Sequence, residues 1–488
     1  MYADDIVLLA ASVPELRAMN RVATDYAYAN RYQFNGKKSN VMAFNANKAL
    51  TELVQNEPWE LFGEAVKVAN SYKYLGVDLI NNLYDWSGYI KRNIAKAERV
   101  SEDLAWIFRR DSGLLPRSAA TLWKAIVRPV LEYAAELWAG DINKELTKRA
   151  EAVQIDFARI VLGVNGCQSI PDDFIRAELG MEKLTSRWEK LRLGYWRRLH
   201  VTAPKTTLHA VVALRKWQVD WAPPAFNNGW MGKTKTLLQE GGLSEDWIDP
   251  KLCCAMSKKA WKNAVYDSVE DRETSDTISC LAAMNSTHAA RFVRSKFWGK
   301  VGKDFACFTG EIGRRGALVP EPYLDDRDEP IGRRLKLMCR AGCLPILKRV
   351  AREARLPAAH GTCKMCNSGS IEDVEHFVID CDAYSQQRSK MLESVEFGPE
   401  CQTQSGKLDV LLGKSTGASK TDDRTDMAVK RFLKKAWRAR KWLVLATNRI
   451  LDRNDTLWAV HAHGDGPSPS YLRGCKNAGK TSEGKTRR

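Results

Sequence analysis

The sequence predicts an α+β protein, mostly α-helical, with a small antiparallel sheet at the amino end and a small metal-binding element near the carboxyl end. Three observations predict it. Short apolar or alternating runs bounded by turn residues fall within the first eighty positions. From Tyr84 onward apolar residues recur at three- and four-residue spacing, the period of a helix packed on one side. Late in the chain stands Cys-x2-Cys-x9-His-x4-Cys, which has the ligand types and knuckle of a metal site.

The chain has 488 residues, with 76 Lys and Arg against 59 Asp and Glu, a formal charge of +17. That balance points to a polyanionic partner, nucleic acid foremost. A hydrophobic fraction of 44% fits folded domains and argues against disorder. Twelve cysteines over this length are too sparse for a disulfide scaffold and predict a reducing, intracellular setting. Acidic residues stand where a signal peptide needs basic ones. No apolar run approaches the roughly 20 residues of a membrane span.

The elements follow in order. Asp4-Asp5 is turn material, and Ile6 to Ala10, with no polar alternation, reads as the buried second arm of a hairpin. Two adjacent carboxylates at its tip are costly unless a cation binds them, and Mg²⁺ suits carboxylates together with phosphates. Val13 to Asn30 reads as a helix, with Leu16, Met19, Val22, Ala23 and Tyr26 on one face. Asn35-Gly36-Lys37-Lys38 marks a turn before a strand at Val41 to Phe44. Ser71 to Leu79 alternates, with Tyr72, Tyr74 and Gly76 on one face.

The helical region opens with Ile90, Ile94, Ala97, Leu104 and Ile107 on one side and Lys91, Arg92, Lys96 and Arg99 off it. Leu122 to Tyr133 is apolar nearly all round and predicts a buried helix bent or ended by Pro129. Val153 to Leu162 and Leu184 to Leu199 continue as amphipathic helices. Residues 201–345 form a connector whose tryptophans are too irregularly spaced for a repeat. In it, Ala289 to Trp298 mixes cations with aromatics, as single-strand binders do, though a core helix with a basic outer face is the better reading.

Cys363, Cys366, His376 and Cys381 supply the four donors that a closed, structural Zn²⁺ site requires. Residues 371–381 read as a helix that carries His376 and Cys381 near one face. His360, Cys339 and Cys343 are alternative donors. The last strong helix, about Asp426 to Asp452, has Val429, Phe432, Leu433, Ala436, Leu443, Ala446 and Ile450 as its apolar stripe. Lys430, Arg431, Lys434, Lys435, Arg438, Arg440 and Lys441 lie between, facing phosphate or solvent. Residues 461–488 read as a disordered basic tail.

Tyr2-Ala3-Asp4-Asp5 with its apolar flanks resembles the polymerase active-site hairpin of reverse transcriptases, in the form found in non-LTR (LINE-type) retrotransposons. The helix followed by Asn35-Gly36-Lys37-Lys38-Ser39 and an apolar strand is similar to that family's next motif. Tyr72-Lys73-Tyr74-Leu75-Gly76 resembles its primer-grip hairpin. The family also carries a Cys-Cys-His-Cys element beyond its thumb.

The resemblance implies RNA-directed DNA polymerisation, with RNA template and DNA primer or target as partners and a nuclear location. It makes Asp4 and Asp5 the Mg²⁺ ligands. Lys38, or Lys37 beside it, becomes the lysine near the leaving pyrophosphate, and Tyr72, Tyr74, Leu75 and Gly76 contact the primer strand. Residues 1–80 become a palm remnant, 81–200 thumb and post-thumb helices, 201–345 the connector, 346–400 the zinc element, 401–460 a helical region and 461–488 the tail. The family's third catalytic carboxylate lies upstream of the hairpin, where this sequence begins. The expectation is therefore an amino-terminally truncated polymerase, inactive alone. The same residues also admit a non-catalytic nucleic-acid-binding module built on the thumb and zinc element.

Overall fold

The computed structural model describes residues 5–82, 85–109, 115–165, 167, 169–201, 206–221, 229–284, 286–297, 320–325, 329–398, 401–413 and 419–448. Asp4, Trp298, Ile450 and the tail at 461–488 lie outside them. The chain divides into two compact units, Met1–Ala95 with Leu137–Leu146, and Lys96–Glu136 with Thr147–Arg488.

In the first unit, helix α1 (Val13–Ala29) starts where Ser12 accepts the Glu15 N–H and Glu15 accepts back from Ala11. Strand β1 (Asn40–Val41) precedes α2 (Lys48–Asn56), which Asn47 caps. β2 (Glu60–Leu61), β3 (Glu64–Ala65), β4 (Lys67–Val68), β5 (Ser71–Tyr74) and β6 (Val77–Ile80) follow. β2–β3 and β5–β6 are antiparallel pairs, whereas β1 and β4 run parallel. Val13, Val54 and Trp59 form the small core, with Leu16, Val41, Ala43, Val66 and Val68 against it.

Three expectations fail here. Residues 6–10 form no strand, and Ile6, Val7 and Leu9 are 39%, 44% and 74% exposed. An apolar run becomes a buried strand only between neighbouring strands and under a covering layer, and the described residues supply neither. Likewise Val22 and Tyr26, on the predicted apolar face of α1, stand in solvent. The expected small antiparallel sheet is instead, among the described residues, three separate two-stranded ladders, of which β1–β4 is parallel.

α3 (Ser87–Arg109) leads from the first unit into the second. Ile90, Ile94, Ala97 and Leu104 are buried as the period predicts, Ile107 is not, and Lys91, Arg92, Lys96 and Arg99 are exposed. α4 (Pro116–Ile126) and α5 (Arg128–Glu132) split the run around Pro129, which sits in the first turn of α5, where its missing N–H costs nothing. That run is not buried all round: Trp123, Val127 and Leu131 are, while Leu122, Ile126 and Tyr133 are exposed. Then come α6 (Ala135–Trp138), α7 (Lys144–Val161), α8 (Asp172–Leu179), α9 (Leu184–Val201) and α10 (Thr207–Trp221). α11 (Trp230–Glu240), α12 (Ser244–Ile248), α13 (Lys251–Ala255), α14 (Lys258–Ala282) and α15 (Thr287–Phe297) follow.

Trp247 and Trp261 of the connector share a core with Trp196 of α9, whereas Trp217 and Trp221 stand exposed. Trp196 stacks on Trp247 at 5.1 Å between centroids, and Trp261 packs beside them with Leu193, Val265 and Val269. α15 is a core helix. Phe292 and Val293 are buried, but Arg291 and Lys296 do not form the expected basic outer face: they turn inward, Arg291 to Asp409 at 2.7 Å and Lys296 to Glu321 at 2.8 Å.

The last elements are α16 (Pro330–Arg340), α17 (Leu347–Glu353), α18 (Ser385–Leu392), α19 (Gln404–Leu411) and α20 (Ser419–Asn448). α16 and α20 meet at Gly332, where a Cβ would collide with the Lys430 carbonyl. Buried charges tie α16 down. Arg340 bonds Glu178 at 2.6 Å and Glu321 at 2.9 Å, and Lys336 pairs with Asp426. No described helix is long and apolar enough to cross a membrane.

Candidate metal centre

A hairpin-like loop presents the first two cysteines. The Cys363 N–H donates to Ser370 at 2.8 Å and the Glu372 N–H to Gly361 at 2.7 Å, closing the loop at its base. Gly369 turns with φ +71°, a value that favours glycine. The Met365 N–H points at Cys363 Sγ, 3.4 Å away, and so stabilises negative charge on the sulfur.

Residues 371–381 were expected to be one helix, and they are not. Ile371 pairs with Thr362 across the loop, and coiling starts only at Val374, as a short α step that widens over His376–Asp380 into a π turn closed by the Cys381 N–H on the His376 carbonyl at 2.8 Å. The wider turn matters. In an α-helix residues five apart point about 140° away from each other. A turn closed by an i→i+5 bond brings them to the same side. Asp373 fixes its start by accepting the His376 N–H at 3.0 Å.

The four donor atoms of Cys363, Cys366, His376 and Cys381 all lie within 4.8 Å of one another. Cys363 and Cys381 are 3.9 Å apart at sulfur, and Cys366 Sγ is 3.4 Å from His376 Nε2. Around a tetrahedral ion with bonds of about 2.3 Å to sulfur and 2.0–2.1 Å to nitrogen, those edges would be about 3.8 and 3.6 Å. The cluster can therefore hold a metal ion. His360, Cys339 and Cys343 do not belong to it.

Burial pushes the Cys363 and Cys381 thiols up. Burial opposes ionisation of Cys366 too, but hydrogen bonds from Ser368 and the neighbouring thiols outweigh it and bring Cys366 down to about 6. One thiolate is thus ready, and the other two need the cation's field to lose their protons, which makes binding pH-dependent.

Three residues whose supporting role sequence reasoning missed hold the centre in place. Glu372 accepts two bonds from Arg440 of α20, at 2.8 and 2.9 Å, and one from the Leu347 N–H at 2.8 Å. Arg388 of α18 donates to the carbonyls of Val378 at 3.0 Å and Cys381 at 2.6 Å. Arg440 is read from sequence as facing phosphate or solvent, and the structure corrects both: Arg440 and Lys430 are buried, and Lys434 pairs with Glu329.

Of the other predicted residues, the first unit brings two together. Lys37 and Lys38 lie exposed in a 3-10 turn, Gly36–Lys38, capped by the Asn35 side chain. The Tyr72 hydroxyl donates to the Lys38 carbonyl at 3.1 Å. The run expected to alternate through Gly76 folds back instead. Leu75 (φ +48°) and Gly76 (φ +82°) make the two-residue turn between β5 and β6, the left-handed pair of a type I′ hairpin. Leu75 is exposed at its tip, and Tyr72 and Tyr74 share one half-buried face. Asp5 is exposed, and among the described residues no second group of three acidic, Cys or His side chains assembles a metal site. No family model, no curated protein and no solved structure matches the chain.

Proposed function

We propose that this chain is part of an RNA-directed DNA polymerase of the non-LTR retrotransposon kind. In this reading its amino-terminal unit handles the primer strand of an RNA–DNA hybrid. Zn²⁺ held by Cys363, Cys366, His376 and Cys381 stabilises the carboxyl-terminal region. The observation that carries the polymerase reading is the Tyr72–Lys38 contact, 3.1 Å. Two motifs that resemble the family's primer grip and pyrophosphate-side lysine stand 34 residues apart in sequence, yet share a hydrogen bond. Asp4 and Asp5 would carry Mg²⁺, and they need a further carboxylate for two-metal phosphoryl transfer. Zinc fits the second centre because three thiolates and an imidazole are its preferred donors, and a four-ligand set leaves no open position for chemistry.

The primer-strand reading is tested by replacing Leu75 with a photo-crosslinking phenylalanine analogue and irradiating the protein on an RNA template annealed to a labelled DNA primer. Crosslinks to the last nucleotides at the primer 3′ end support it. Crosslinks to the template alone, or none, overturn it.

A second reading, a non-catalytic nucleic-acid-binding module, is favoured by the exposure of Asp5 and by its lying outside any group of three metal-ligating side chains among the described residues. The Mg²⁺ dependence of hybrid binding separates the two. A gain in affinity for the RNA–DNA hybrid on adding Mg²⁺ that Asp5→Ala abolishes supports the polymerase. Hybrid affinity indifferent to both Mg²⁺ and Asp5→Ala supports the module.

A further inference from the structure

α20 sorts its cations by face. Lys430, Lys434 and Arg440 reach protein acceptors, the Tyr323 carbonyl, Glu329 and Glu372. Arg424, Arg431, Lys435 and Arg438 are exposed, and among the described residues none has a carboxylate within 4.0 Å. At 3.6 residues per turn these four positions fall within about 60° of one another, along about 21 Å of helix. Four like charges repel on such a stripe, so its folding is favoured when an anion lies along it.

The stripe borders a groove of about 800 Å³ between α18 and α20. Arg424, Arg431 and Lys435 line one wall and Lys390 the other; Met391, Met427 and Phe432 also line it. Glu393 and Glu396 line it as well, and neither forms an ion pair with these cations among the described residues. A second observation is independent of charge. Gln387 lines the same groove, and its buried side-chain oxygen has no donor.

We propose that this groove binds single-stranded RNA, with successive phosphates on the α20 stripe and Lys390, and a ribose 2′-hydroxyl supplying the donor that Gln387 lacks. The groove is too short of exposed aromatic rings to read bases by stacking, so recognition is of the backbone. A 2′-hydroxyl is both donor and acceptor, and deoxyribose has none, which selects RNA over DNA. This rests on the charge and hydrogen-bond pattern of α18 and α20 and not on the polymerase reading, so either can fail alone.

The test uses the full chain loaded with Zn²⁺ and a fluorescent 20-nucleotide single-stranded RNA of mixed sequence, titrated by anisotropy over a range of KCl. The variant is Arg424→Gln with Arg431→Gln and Lys435→Gln. Each phosphate contact on a single strand contributes about 0.7 to the slope of log affinity against log salt, so removing three lowers the slope by about 2. At the lowest salt the dissociation constant rises more than tenfold. The control, Lys251→Gln with Lys258→Gln and Lys259→Gln, makes the same change in net charge on exposed residues elsewhere. It shifts the constant less than threefold. Gln387→Leu brings RNA affinity down to that of DNA of the same sequence. Unchanged slope in the groove variant, equal loss in the control, tighter binding of duplex than of single strand, or equal wild-type affinity for RNA and DNA each overturns the proposal. Retained Zn²⁺ content and an unchanged circular dichroism spectrum show that the variant is folded.

Discussion

Arg440→Met tests whether α20 and the metal loop are one structural unit. Glu372 is 1% exposed and Arg440 4% exposed at the side chain, so neither is solvated when its partner leaves. In the variant the Glu372 carboxylate keeps one bond, from the Leu347 N–H, and loses two from the guanidinium. Removing one member of such a buried pair costs about 3–5 kcal/mol, because the remaining charge is uncompensated. Local opening then becomes about 150- to 5,000-fold more frequent. Amide hydrogen exchange of the peptide spanning residues 370–381, read by mass spectrometry on metal-loaded protein, reports that opening directly. Adding Glu372→Gln to Arg440→Met removes the orphaned charge and recovers most of the protection. Exchange within threefold of wild type in the single variant would refute the reasoning, and so would a double variant worse than the sum of its parts.

Gly332→Ala forces a methyl group into the Lys430 carbonyl where α16 crosses α20, and overpacking of that kind costs about 1–3 kcal/mol, seen as a lower melting temperature. Glu273 is raised to about 7 by burial, against the pull of the Lys183 N–H and the Ser186 hydroxyl. A carboxyl held above its unfolded value binds the extra proton in the folded state, so stability falls as pH rises from about 4.5 to about 7. Glu273→Gln flattens that fall, which melting curves at pH 5 and 8 compare. Cys167 is brought down to about 6 by a hydrogen bond from the Cys343 thiol, with Arg349 and Arg334 assisting, whereas burial pushes Cys253 up to about 12. At pH 7 iodoacetamide therefore labels Cys167 well before Cys253, and Arg349→Gln slows it; equal rates by peptide mapping would contradict the assignment.

Local chemistry is what the sequence made legible. The Cys-x2-Cys-x9-His-x4-Cys spacing pointed to all four donors because ligand type and reach restrict the choices. The apolar stripe of α20 was readable from its period, and Val429, Phe432, Leu433 and Ala436 are all buried. Non-local pairing was not readable. Nothing in Ile6 to Ala10 says whether neighbouring strands exist to cover it. Trp196, Trp247 and Trp261 share a core only because α9, α12 and α14 converge. Arg440 and Arg438 look alike in a basic run, and the partner that separates them, Glu372, lies 68 residues upstream. The π turn at His376–Asp380 had no signal in residue types either, since a five-residue separation of ligands is awkward for the α-helix that the composition suggests.

The same bonds set an order of dependence through the carboxyl-terminal region. The metal loop presents Glu372, Glu372 anchors Arg440, and Arg440 sits two residues beyond Arg438, the last cation of the basic stripe on α20. Arg388, on α18, binds the carbonyl of the ligand Cys381, while Lys390 two residues on lines the groove. Both groove walls are therefore tied to the cluster, one through Glu372 and one through Cys381. Stripping the ion with a chelator should loosen both ties together and weaken RNA binding as much as the triple groove variant does, although none of the four donors lines the groove. If chelation leaves the RNA affinity and its salt slope untouched, the walls are held by helix packing alone, and the cluster's contribution stops at its own loop.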